Sequence, residues 1–141
     1  MAVLLGCSVV VAAPVAWSVI LRHEHLGPLT VSVQSTTSTV LQGTVGQADL
    51  LFVNNSATAT VIVEILGEVR FTGGTAVSLP RVQLRLDPGA HEVGNYSYNV
   101  GGPGPATVFT AARVLEIRQF GTVTVPSEPT GCWDSDGFLV I

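Results

Sequence analysis

Residues 2–21, AVLLGCSVVVAAPVAWSVIL, carry no charged side chain, and the first charge along the chain is Arg22. A helix of that length is about 30 Å long, close to the hydrocarbon thickness of a bilayer. Such a segment has to leave water, and four arrangements would take it out. A cleavable signal peptide should open with a positive stretch, which is missing here. A transmembrane anchor fits the length and tolerates Pro14 in mid-span. A helix packed with its copies at a filament axis fits equally well. The fourth arrangement is a core helix or β-rich hairpin, because Val9-Val10-Val11 is β-branched.

Composition narrows the remainder. The 141 residues leave room for one domain beside this segment, and a hydrophobic content of 47% is enough to build a core. The six basic residues are all arginine, against ten acidic ones, for a net charge of −4. A nucleic-acid binder needs a basic surface to displace counterions, so that class is set aside. The absence of lysine removes Schiff-base chemistry and the phosphate-binding lysine of P-loops. Of the two cysteines, Cys7 lies inside the apolar run and Cys132 near the C-terminus. A bridge requires Cα atoms within about 7 Å, so none is expected if Cys7 sits in lipid or a bundle.

After Gly27-Pro28 the hydrophobic period changes to two. Leu29, Val31 and Val33 alternate with polar residues, and residues 48–53 form a second strand ended by Asn54-Asn55-Ser56. Residues 58–71 place Val61, Val63 and Ile65 on one face and Ile62, Glu64 and Leu66 on the other, with a bulge or bend expected at Gly67. Residues 81–87 show the cleanest alternation, which predicts Val82, Leu84 and Leu86 inward and Arg81, Gln83 and Arg85 outward. Asp87-Pro88-Gly89 turns the chain, and Tyr96, Tyr98 and Val100 follow at period two. Residues 101–105 read as a rigid loop. Residues 106–120 read as a long strand bulged at Ala111-Ala112, and residues 123–125 and 138–141 complete the set. Seven or more strands at this turn spacing predict an antiparallel β-sandwich.

Few residues suggest chemistry. His23 and His25, flanking Glu24, would share one side of an extended segment, but a third metal ligand is missing and His91 is distant. The trio reads as a polar collar. Asp134 and Asp136 would offer two carboxylates on one side, short of a calcium loop. No Gly-x-Ser-x-Gly elbow is present, and Ser97 sits between two tyrosines. The expectation is therefore a non-enzymatic chain with no catalytic residue, cofactor, metal, nucleic-acid partner or small-molecule substrate. Two sequons mark Asn54 and Asn95 as glycosylation candidates, Asn54 because it lies at a turn.

Between Gly46 and Ile117 the pattern resembles the Ig-like CARDB modules of bacterial and archaeal surfaces. The resemblance lies in Leu50-Leu51-Phe52-Val53-Asn54-Asn55-Ser56-Ala57, Val61-Ile62-Val63 and Leu86-Asp87-Pro88-Gly89. Residues 126–141 are a tail such modules do not require. An apolar N-terminal segment leading into one sandwich is similar to archaeal type IV pilins, although no basic processing site precedes the run. The fold expected is mainly β: a hydrophobic N-terminal α-helix over 1–25 and an Ig-like antiparallel sandwich over 26–141. The resemblance implies a structural subunit of an extracellular filament, membrane-associated through residues 2–21 before assembly. Its helix contacts would be Gly6, Ala12, Ala13 and Ala16, small enough for close approach, with Trp17 near the outer edge. Alternatives are a membrane-anchored binding or adhesion module and a virion coat or decoration protein.

Overall fold

The computed structural model describes residues 29–127 and 130–141. The segment 1–28, with the expected filament contacts Gly6, Ala12, Ala13, Ala16 and Trp17 and the cluster His23, Glu24 and His25, lies outside the described residues.

Nine strands are described: β1 (Leu29–Ser35), β2 (Thr39–Val40), β3 (Val45–Asn54), β4 (Thr60–Arg70), β5 (Ala76–Leu86), β6 (His91–Asn99), β7 (Gly104–Gln119), β8 (Thr122–Thr124) and β9 (Gly131–Val140). They form a two-layer sandwich. The smaller sheet has the order β1-β3-β6, and the larger runs β2-β9-β7-β4-β5 with β8 added to β7. Every pairing is antiparallel except β2 with β9.

Alternation explains the core. Val31, Val33, Leu50 and Phe52 of the small sheet meet Val61, Val63, Val69, Val108 and Val114 of the large one. At one end Phe71, Tyr98 and Phe138 form an aromatic cluster, with Tyr98 and Phe138 centroids 5.8 Å apart. Two tyrosines of β6 reach across to glycines. A Cβ on Gly46 would fall 2.5 Å from the Tyr98 ring, and one on Gly67 would fall 2.6 Å from the Tyr96 ring.

One sequence expectation needs refining and three need correcting. The bulge or bend expected at Gly67 is found as a register shift between Ile65 and Gly67, with the extra residue on β5, where Pro80 and Arg81 both oppose Leu66. Proline on an edge strand suits such a defect because it has no N–H to give; Gly67 is there to admit Tyr96. The long strand is irregular at Leu115 rather than at Ala111-Ala112. The alternation slips at the alanines because both faces of β7 are buried there. Residues 104 and 105, read as loop, already belong to β7. Finally, most of the supposed tail is β9, which pairs with β7 along its whole length in the large sheet.

Candidate interaction site

The chain passes from the large sheet to the small one at a corner, residues 87–90, between β5 and β6. Asn54 builds that corner. Its side-chain amide donates to the carbonyls of Ala59 at 2.7 Å, Leu86 at 3.0 Å and Asp87 at 3.2 Å. Its backbone N–H donates to Ala90, and its Oδ1 accepts from the N–H of Ser56. Gly89, in the left-handed region at φ 72°, donates to Ser56, and Ala90 donates to Asp87. Asn54 is fully buried with every amide bond committed. The sequon side chain is thus turned inward onto three carbonyls rather than out to solvent. Asn95 is exposed on the outer face of β6, in register with Asp49, where a glycan would meet solvent.

From this corner β5 and β6 diverge, each a free edge of its own sheet. Exposure rises along β5: Leu86 at the corner is buried, Leu84 is half-buried and Val82 is 55% exposed. Arg81, Gln83 and Arg85 point outward as the alternation predicts, but Val82 does not reach the core. The reason lies in the unequal sheets. The small sheet ends at β6 and does not cover the far part of β5. The wedge left open is a mostly apolar cleft of about 190 Å³ floored by Leu50, Phe52 and Ile65 and flanked by Val82, Leu84 and Glu92. Val93, in register with Leu51, points with Asn95 to the outer face of the small sheet and is 73% exposed.

Tyr96 limits the cleft on the inside. Its hydroxyl lies 3.2 Å from the carbonyl of Leu66 and 3.0 Å from Oγ1 of Thr110, which itself donates to Leu66. Burial raises the phenol above its ordinary 10.0, and the Thr110 hydrogen bond opposes the rise. Tyr96 is therefore a neutral hydrogen-bonding pillar between the sheets at physiological pH.

The opposite side of the sandwich is closed by carboxylates. Val33 N–H donates to Oδ2 of Asp134 at 2.9 Å, and Ser35 N–H donates to Oδ2 of Asp136 at 2.7 Å. These are donors on the free edge of β1, so β9 satisfies with side chains what a neighbouring strand would satisfy with carbonyls. Burial raises the Asp134 carboxyl above its ordinary 3.8; the N–H groups of Val33 and Ser135 oppose this, and Asp136 adds to it. The two carboxylates considered as calcium ligands are thus fasteners. Nearby, the buried Tyr98 phenol is raised chiefly by burial, drawn down by Ser35 and raised again by Asp136. Its hydroxyl makes no well-formed hydrogen bond among the described residues, because the Ser35 hydroxyl donates to Thr37 at 2.6 Å.

Cys132 continues this row. It is buried, its Sγ is 3.2 Å from the Leu29 carbonyl, and it is held in a disulfide rather than as a free thiol. That runs against the expectation that no bridge forms; Cys7, the other cysteine of the sequence, lies outside the described residues. His91 opens β6, exposed and opposite Val53. Among the described residues no three His, Cys, Asp or Glu side chains cluster, and no helix is long and apolar enough to cross a membrane. The outward arginines pair locally: Arg113 and Arg81 with Glu64, Arg70 with Glu68, Arg85 with Asp87 and Arg118 with Glu116.

No family model matches the sequence, and no curated protein matches it. The fold does have solved counterparts. The CARDB domain of a Pyrococcus furiosus protein, crystallised in complex with di-metal ions, superposes with a TM-score of 0.56 at 13% identity, covering 80% of this chain and 87% of that one. The solution structure of the same domain gives 0.54 at 14% identity, covering 81% and 94%. A β-glucosidase from Listeria innocua gives 0.54 at 12% identity, covering 79% of this chain but only 16% of the enzyme. The described region thus has a CARDB-like β-sandwich fold.

Proposed function

We propose that this chain is a non-enzymatic interaction module of an extracytoplasmic surface, and that it engages a second copy of itself through the cleft between β5 and β6. The observation that carries this reading is the cleft: two free strand edges diverging beside exposed Val82 over an apolar floor. Free edges supply main-chain donors and acceptors, and the floor supplies apolar burial, the pair of features that strand addition uses. A second copy fits because it brings the same kind of edge, so that two β5 or two β6 strands can pair about a two-fold axis.

Export is supported by the disulfide at Cys132, since such bonds persist in oxidising compartments. The non-enzymatic reading is supported by how the polar groups are used. Asp134 and Asp136 hold β1, Asn54 holds the corner, and Glu64 holds Arg113. The metal of the Pyrococcus domain is not carried over, because no three His, Cys, Asp or Glu side chains cluster among the described residues. The filament arrangement, with residues 2–21 at an axis, is a finer version of the surface reading and makes a different demand on that segment.

The test is sedimentation of the full chain as a function of concentration, for the wild type and for Val82→Glu. The wild type should show a concentration-dependent dimer. The variant should stay monomeric with an unchanged β-sheet circular dichroism spectrum. Identical association of the two proteins would end this reading.

A further inference from the structure

The outer face of the small sheet carries a groove of about 570 Å³, lined by Ser32 and Gln34 of β1, Asp49 and Leu51 of β3, and Val93 and Asn95 of β6. These side chains are two rows of the strand register. Gln34, Asp49 and Asn95 lie side by side, and Ser32, Leu51 and Val93 form the next row. They alternate with the core positions Val33, Leu50 and Phe52, which turns them away from the sandwich. The first row is polar and exposed from end to end. The second is largely apolar, with Leu51 half-buried and Val93 73% exposed.

Polar side chains elsewhere in the domain hold it together: Asp134 and Asp136 bind β1, Asn54 binds the corner, and Glu64 binds Arg113. The groove is different. Its hydroxyl, its carboxylate and its two carboxamides bond to no other described side chain or main-chain group. Both donors and acceptors are therefore available along one line, two strand spacings or about 10 Å in length, held on three paired strands. The volume falls in the range of about 300–1,000 Å³ usual for small-molecule sites.

We infer that this groove binds a neutral saccharide. Vicinal hydroxyls donate and accept at once, as the Gln34 and Asn95 carboxamides do, and the Asp49 carboxylate accepts from two of them. Leu51 and Val93 offer the C–H face of a sugar ring an apolar surface beside that line. Charge argues against an anionic ligand: the described arginines, Arg70, Arg81, Arg85, Arg113 and Arg118, lie on the outer face of the other sheet. One carboxylate among amides is also short of the six to eight oxygens that calcium takes. Asn95 opens a sequon, so the saccharide has two sources, a glycan attached at Asn95 or one carried by another molecule. The ligand is held and not turned over, which leaves the non-enzymatic reading as it is. Strand β6 divides this groove from the β5–β6 cleft, so the two readings stand or fall separately.

The test is a nuclear magnetic resonance titration of the full chain, made in a host that does not glycosylate and kept in EDTA. The probes are cellobiose, maltose and diacetylchitobiose. At least one should give saturable shifts confined to the amides of residues 32–34, 49–51 and 93–95. Asp49→Ala should weaken that binding by at least about tenfold, the loss expected when a charged hydrogen-bonding partner is removed. Val82→Glu should leave it unchanged. Asn95→Ala, at an exposed position of an edge strand, serves as the second variant if Asp49→Ala does not fold. Protein from a glycosylating host separates the sources: an attached glycan that fills the groove should show ring-proton contacts to Leu51 and Gln34 and should exclude the free probe. Failure in both hosts overturns the inference, as does binding that both variants leave unchanged.

Discussion

The two flanks of the sandwich solve the same problem differently. At the β1–β9 flank, donors of an edge strand are met by Asp134 and Asp136 at 2.9 and 2.7 Å, so the side is closed by hydrogen bonds to carboxylates. At the β5–β6 flank, Val82 stands largely in solvent over an apolar floor. One edge is blunted against further pairing and the other is not. The difference arises from unequal sheet widths and from the corner at residues 87–90, which pins β5 to β6 at one end only. An open edge beside a closed one gives the domain a direction in which to associate.

The largest effect should come where the open flank closes. Leu86→Ala, at the buried corner end of β5, removes a fully enclosed side chain. It should cost about 3 kcal/mol in chemical denaturation, since the surrounding strands cannot collapse onto the space. If Leu86→Ala cost no more than a surface change, the corner would not be the anchor of the cleft.

Asn54→Ala should rank next, at about 2 kcal/mol. It strips a donor from two buried carbonyls, Ala59 and Leu86, and from the part-buried carbonyl of Asp87. Mass spectrometry of protein from a glycosylating host should find Asn54 unmodified in folded material, with Asn95 as the accessible sequon. A glycan on folded Asn54 would contradict its place in the corner.

The closed flank carries a pH signature. Asp134 has its folded pKa raised above the unfolded value of about 3.9, so between the two the folded state binds more protons. Its contribution is favourable below the unfolded pKa and is lost as pH rises through the folded one. At neutral pH the charged carboxylate is therefore a net cost. Asp134→Asn keeps an acceptor for Val33 N–H and removes the repulsion with Asp136. Thermal melts should show the variant at least as stable as the wild type at pH 7, with that advantage shrinking toward pH 4. A variant less stable at pH 7 would mean that the charge itself holds β1.

Much of this was legible in the sequence because alternation reports which face is buried. Residues 81–86 gave their register correctly, and the CARDB-like turn residues stand where the corner is. What alternation reads poorly is a strand buried on both faces or a polar group turned inward. Ala111 and Ala112 look like a slip because the outer face and the core each need a small residue. In β9, Asp134 and Asp136 occupy inward phases to reach β1, which disguised a central strand as a tail. Asn54 is ambiguous for a related reason. A sequon at a turn looks the same whether its amide faces water or three carbonyls, and only the distance to Leu86 and Asp87, more than thirty residues away, tells them apart.

The smallest effect on stability is also the sharpest test of the comparison. Val82 and Leu86 lie on one strand, four residues apart and in the same phase, so alternation alone treats them as equivalent. Val82 is 55% exposed, so Val82→Ser removes little area from the folded core and should change stability by no more than about 0.5 kcal/mol. Serine also keeps every main-chain group of the β5 edge. What it removes is apolar surface at the mouth of the cleft, about 25 cal/mol for each Å² that association would have buried. The expected result is an unchanged denaturation midpoint beside a weaker dimer. A loss near that of Leu86→Ala would mean that the flank is closed in the solution monomer and that the two edges are alike.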